Sequence, residues 1–145
     1  MILTLILLLP LAGALAVALM KNSAATMIRL TGILFSALAF VLSVWLFLQF
    51  DGSSAEMQFV EKTVWIPTLD VSYHLGVDGI SLLLVALTAF LTPIALLASW
   101  ESIAQRLKGF VIAMLLLEVG TLGVFMALDL FLFYVFWEFM LIPMY

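Results

Sequence analysis

Ala127-Leu-Asp-Leu-Phe-Leu-Phe-Tyr-Val-Phe-Trp-Glu-Phe-Met-Leu-Ile-Pro-Met-Tyr145 is apolar nearly from end to end, yet it carries an acid well inside it. Asp129 reads as the turn before a helix, and Glu138 follows nine residues later. At 1.5 Å per residue that is about 13 Å along the axis, roughly the midplane of a bilayer. A carboxylate at a helix centre costs about 2.5–3.5 kcal/mol on insertion scales. Such a group ordinarily faces a bundle interior or a water cavity and marks an ion path. This stretch therefore points to a membrane helix bundle and makes Glu138 the first candidate site residue.

Composition agrees. Of 145 residues, 67% are hydrophobic and only 10% charged, with a mean hydropathy of +1.35. Soluble domains carry about 25% charged residues. The absence of cysteine excludes disulfides, thiolate metal sites and iron–sulfur ligation by these residues. No basic patch supports nucleic-acid binding. The net charge of −4 reflects acids gathered in one loop.

Working outward, apolar runs predict an all-α, polytopic transmembrane bundle of about five spans, over residues 2–20, 30–50, 80–100, 109–127 and 129–145. The first run has no basic residues before it, which favours a retained helix over a signal peptide. Along the second, Gly32, Ser36, Ala39 and Ser43 form a narrow stripe where another helix can approach, read as packing and not as a site. The outward loop 51–77 holds two β-prone runs, Thr63–Ile66 and Val71–Leu75, around Pro67–Asp70, which predicts a small hairpin on the membrane surface. Asp78 is placed as an N-cap of the third span, with a lesser role at a channel mouth as the alternative, and Pro93 predicts a kink. The last span reaches 17 residues with no polar flank after it, which reads as a fragment of a longer protein. His74 stands without a second His or any Cys nearby and reads as a surface residue, not a metal ligand.

Lys21, Arg29, Arg106 and Lys108 fall on one side of the membrane and only Lys62 on the other. The positive-inside rule then places the N-terminus outside and loops 21–29 and 101–108 in the cytoplasm.

A second buried acid, Glu118, lies in the fourth span. Glu118 and Glu138 are equally far along the chain from a turn near Leu128, so an antiparallel hairpin is expected to hold both carboxylates at one depth. Tyr134 shares a helix face with Glu138, and Thr121 with Glu118. Pro143, one turn beyond Glu138, withholds a donor from the carbonyl of Phe139; it either hydrates the site or merely bends the helix. Two acids at matching depth favour an ion path over a purely structural hydrogen bond.

His74-Leu-Gly-Val-Asp-Gly-Ile-Ser-Leu-Leu-Leu84 and Phe136-Trp-Glu-Phe-Met-Leu-Ile-Pro-Met-Tyr145 resemble the antiporter-like membrane subunits of proton-translocating NADH:quinone oxidoreductase, respiratory complex I, and are most similar to the N-terminal part of the subunit M, or chain-4, type. The resemblance implies an inner-membrane, multi-pass subunit that takes part in proton translocation and holds no cofactor of its own; NADH, FMN, iron–sulfur clusters and quinone belong to partner subunits. It implies further that Glu138 modulates a lysine on a later helix, that Glu118 is a secondary acid, and that the related subunits L and N are neighbours in the bilayer. Two rivals stand beside it, a subunit of a multisubunit sodium/proton antiporter and a structural membrane-assembly segment.

Overall fold

In a bilayer every backbone polar group needs an internal partner, so long apolar runs settle as helices. The computed structural model describes residues 1–145 and shows five of them: α1 (Ile2–Leu19), α2 (Ala25–Gln49), α3 (Gly79–Ala98), α4 (Leu107–Met126) and α5 (Leu130–Met144). The first four are long and apolar enough to cross a membrane. At 15 residues, α5 extends about 22 Å, less than the hydrocarbon core.

The helices are displaced from the expected bounds at several ends. α2 begins at Ala25, five residues before the expected start, so the link after α1 is only residues 20–24. The reason is that Arg29 need not stay in a loop. It reaches from the second turn of α2 to donate to the carbonyl of Ile103 at 3.1 Å, and it stacks over Trp100. α4 likewise begins at Leu107, two residues early.

α4 is the hub, packed against α1, α2, α3 and α5. The small-residue stripe of α2 is buried at Gly32, Ser36, Ala39 and Ser43, and a Cβ on Gly32 would lie 2.6 Å from the Val111 side chain of α4. The buried Ser36 and Ser43 hydroxyls donate to carbonyls of their own helix, those of Ile33 and Phe40.

Residues 51–77 contain the expected hairpin, with longer strands than predicted: β1 (Gln58–Ile66) and β2 (Val71–Val77) pair antiparallel around a short 3-10 turn at Pro67–Leu69. The hairpin does more than cover a surface. Leu75 and Val77 plunge into an apolar cluster with Leu3 and Ile6 of α1, Leu82 of α3, Leu122 of α4 and Leu132 of α5. A second cluster, including Val17, Ile28, Leu96, Val111 and Leu115, closes the opposite end of the bundle.

Candidate functional site

Glu118 sits at the seam between these two clusters, between Leu115 and Leu122 on one face of α4. It is 2% exposed, and neither carboxylate oxygen has a hydrogen-bond partner. On one side it borders an open cleft of about 240 Å³ between α3 and α4, mostly apolar, in which Thr88, Thr92 and Thr121 stand among Leu91, Ala95, Met114 and Leu117. Thr121 is the hydroxyl anticipated on Glu118's face.

Glu138 has the opposite setting. It lies on an exposed face of α5, with Tyr134 one turn earlier as its polar neighbour, also exposed. Pro143 lies in the last turn of the same helix. Within these residues, then, Glu138 does not look into the bundle.

The hairpin of α4 and α5 explains why the two acids are not brought together. Gly120 and Gly123 make the room for α5: a Cβ on Gly120 would fall 2.8 Å from that of Met140, and one on Gly123 would overlap the Phe136 ring. At about 100° per residue, Glu118 is roughly 200° around α4 from Gly120, and Glu138 roughly 200° around α5 from both Met140 and Phe136. Each carboxylate thus points away from the shared interface. The facing pairs 120/140 and 123/136 also centre the hairpin beyond Asp129, not at Leu128. That register separates the two acids by about 6 Å in depth. The shift arises because Ala127 and Leu128 are drawn out of the helix: Ala127 bridges to Leu75, and the Leu128 amide donates to the carbonyl of His74.

Asp78 is a cap in full. Its carboxylate accepts from the Ser81 amide at 2.7 Å, and the Ser81 hydroxyl accepts from the Asp78 amide at 2.8 Å. These Ser81 bonds, the amide foremost, hold its carboxyl below the ordinary range. Asp129 caps α5 through the amides of Phe131 and Leu132 and also accepts from the Ser72 amide of β2. That Ser72 bond is the largest cause of its own depressed pKa.

Two charged residues of no assigned role close the bundle ends. The bulge at Phe59–Val60, with Phe59 at φ 54°, turns Glu61 toward α1. There Glu61 accepts from the amides of Leu3 and Thr4, from the Thr4 hydroxyl and from the N-terminal ammonium, capping α1 from outside the helix. Burial acts to raise the Glu61 carboxyl, but these donors outweigh it and hold it low. At the far end Lys108 donates to the carbonyl of Met20 at 2.8 Å, closing α1 there.

No family model matches the chain. Among curated proteins it is 43% identical over 136 residues to NADH-ubiquinone oxidoreductase chain 4 of Arabidopsis thaliana, covering 94% of this chain and 28% of that protein. It is 39% identical to NADH-quinone oxidoreductase subunit M of Pseudomonas aeruginosa, covering all of this chain and 30% of the relative. Chain 4 of Mycosarcoma maydis is 44% identical over 147 residues, again across 30% of its length. Over the length it spans, the chain is a homologue of subunit M.

It therefore corresponds to less than a third of the length of these subunit M and chain 4 relatives. The family and the multi-pass helical character read from the motifs around Glu138 and Asp78 stand. Sequence reasoning missed Thr88 and Thr92, although their spacing of four on an apolar helix is a visible polar stripe. It also missed Glu61, whose partners lie 57 and 58 residues away and leave no local signal. In this subunit M homologue, Gly120 and Gly123 are the residues that decide where Glu118 points, and their spacing of three was the available clue.

Proposed function

We propose that the chain is part of a membrane-arm subunit of NADH:quinone oxidoreductase and takes part in proton translocation coupled to electron transfer from NADH to quinone. The observation that carries this is Glu118: an acid without a hydrogen-bond partner, held in the middle of the hub helix between two apolar clusters. A buried carboxyl lacking a partner costs stability, so its retention fits a group that takes up and releases a proton. Glu138 acts as the charge-coupling acid and Glu118 as the secondary acid. Tyr134 and Pro143 tune the surroundings of Glu138, the hydroxyl by its position one turn away and the proline by freeing the carbonyl of Phe139. Electron transfer takes place in partner subunits holding FMN, iron–sulfur clusters and quinone, while this chain contributes no redox group.

The remaining parts of the reading follow from it. The subunit resides in the inner, cytoplasmic membrane beside the related subunits L and N. Its hairpin end faces outward and the end carrying Arg29, Arg106 and Lys108 faces the cytoplasm, as the positive-inside rule requires.

The test is NADH-driven proton uptake by membrane vesicles containing the assembled complex. Glu138→Gln lowers pumping on the order of tenfold or more, and Glu118→Gln lowers it less, with assembly intact. Unchanged pumping in both variants would instead identify a structural segment. Proton movement driven by a sodium gradient without NADH and quinone would identify an antiporter subunit.

A further inference from the structure

We propose that the open cleft between the starts of α2 and α4 binds the phosphate group of an anionic phospholipid, at the end of the bundle opposite the hairpin. The cleft measures about 590 Å³ and lies where the link after α1 meets the connection from α3 to α4. Three cations line it, Arg29, Arg106 and Lys108, and no carboxylate does. Such a site depends on the membrane bundle alone and not on proton translocation.

The cleft holds positive charge without a counter-charge. Arg29 donates from Nη2 to the carbonyl of Ile103 and lies 5.3 Å over the Trp100 ring, which fixes the guanidinium in place, yet its Nε is buried and has no partner. Lys108 gives one of its three hydrogens to the carbonyl of Met20. These carbonyls are neutral and cancel no charge, and the ion pair of the structure lies elsewhere, between the N-terminal ammonium and Glu61. Glu101, the acid of the same connection, is exposed and stands outside the lining. The two helix starts add to the field. Neither α2 nor α4 has a side-chain cap or an acid in its first turn, so each presents free amides and the positive end of its dipole. Ala25, Leu107, Lys108 and Gly109 of those turns belong to the lining. A phosphate group supplies what is missing: negative charge, and oxygens that accept from guanidinium, ammonium and amide alike.

Depth and lining select a lipid as the source of the phosphate. With 25 residues, α2 is about 37 Å long, beyond the hydrocarbon core of about 30 Å, so its start reaches the headgroup layer. Trp100, under Arg29, is of the residue type that gathers at that layer. Alongside the cations the lining is apolar, with Ala25, Ala104, Leu107 and Ile112. A wall that mixes cations with aliphatic side chains fits an amphiphile better than free inorganic phosphate. The sign of the headgroup follows from the same residues. A zwitterionic lipid would bring its own ammonium among three cations, whereas an anionic one brings none.

The assembled complex in phosphatidylcholine nanodiscs is given a small fraction of phosphatidylglycerol carrying a photoactivatable diazirine close to its headgroup, and the crosslinked peptides are mapped by mass spectrometry. Phosphatidylcholine carrying the same diazirine is the neutral control. The anionic probe is expected to label residues 20–29 and 104–112 on the order of tenfold more than the neutral one, and Arg106→Gln to lower that labelling about fivefold, the effect of one cation near a lipid surface. Gly109→Glu is expected to abolish the preference. An added Cβ there meets no atom within 4 Å, and an acid in the first turn favours the helix, so the fold is kept while the carboxylate takes the place of the phosphate. Equal labelling by the two probes, or an anionic preference that survives Gly109→Glu, would overturn the site. Protection by millimolar inorganic phosphate would overturn the lipid in favour of a soluble anion, and no labelling by either probe would give the cleft to a protein segment of a neighbouring subunit. Pumping enters none of these readouts, so failure of the lipid site and failure of the translocation reading are told apart.

Discussion

The separation of Glu118 from Glu138 rests on two hydrogen atoms, those standing in place of side chains on Gly120 and Gly123. Both lie where α5 presses on α4, and the tighter is Gly123, whose Cβ would overlap the Phe136 ring. Phe136 packs against the same apolar cluster as Leu132, so displacing its ring disturbs that packing. Gly123→Ala is therefore expected to destabilise the helix hairpin by about 1–3 kcal/mol, the usual cost of overpacking. Gly109→Ala, where an added methyl meets nothing, is expected to be neutral or slightly stabilising. Thermal unfolding of the two variants in detergent checks the pair; equal melting temperatures would mean that α5 is not seated on α4 through this residue. The sequence displayed both acids but set them at one depth, where the helix register offsets them by about 6 Å. Which way they point depends on close backbone approach between helices, and hydropathy, being summed along the chain, carries no such direction.

Among the elements, the hairpin owes its position to charges that cap helices belonging to other parts of the chain. The strands and their Pro-containing turn were legible because strand propensity and turn chemistry are local. The bulge that aims Glu61 at α1 was not, since it serves a contact with residues 57 and 58 positions away. The side chain of Glu61 is 10% exposed and satisfies amide donors at the helix start, where a negative charge also meets the positive end of the helix dipole. Glu61→Gln keeps the shape and removes the charge, and is expected to cost about 1 kcal/mol, by analogy with a lost N-cap. Its direct reading is faster amide hydrogen exchange at Leu3 and Thr4. The capping box of Asp78 gives a local comparison, for Asp78→Ala should raise exchange at Ser81 while leaving Leu3 and Thr4 protected. If Glu61→Gln leaves all these amides unchanged, the hairpin is held without the Glu61 charge, by Leu75 and Val77 and by the bonds of Ser72 to Asp129 and of His74 to Leu128.

Across the whole molecule the two ends of the bundle are fastened by different chemistry. At the hairpin end three carboxylates outside the spans, Glu61, Asp78 and Asp129, accept backbone amides, and all three are held below their ordinary range. At the other end the fastenings are cations on carbonyls: Arg29 on Ile103 and Lys108 on Met20. A carboxyl whose folded pKa is depressed contributes stability that is complete above its unfolded value, about 4, and is lost as pH falls through the folded value. Guanidinium and ammonium groups keep their charge throughout that window. Acid is therefore expected to loosen one end before the other. In lipid nanodiscs taken from pH 7 toward pH 3, hydrogen exchange corrected for its intrinsic pH dependence should rise first in residues 58–77 and at the starts of α1, α3 and α5. The link after α1 and the connection from α3 to α4 should stay protected. The two apolar clusters, Leu75 and Val77 of the hairpin among them, are indifferent to pH, so the change is a loosening of the hairpin's polar ties and of the capped helix starts and not unfolding of the bundle. Simultaneous loss of protection at both ends would show that the carboxylate caps do not set the stability of the outer end, and that the bundle responds to acid as a single unit.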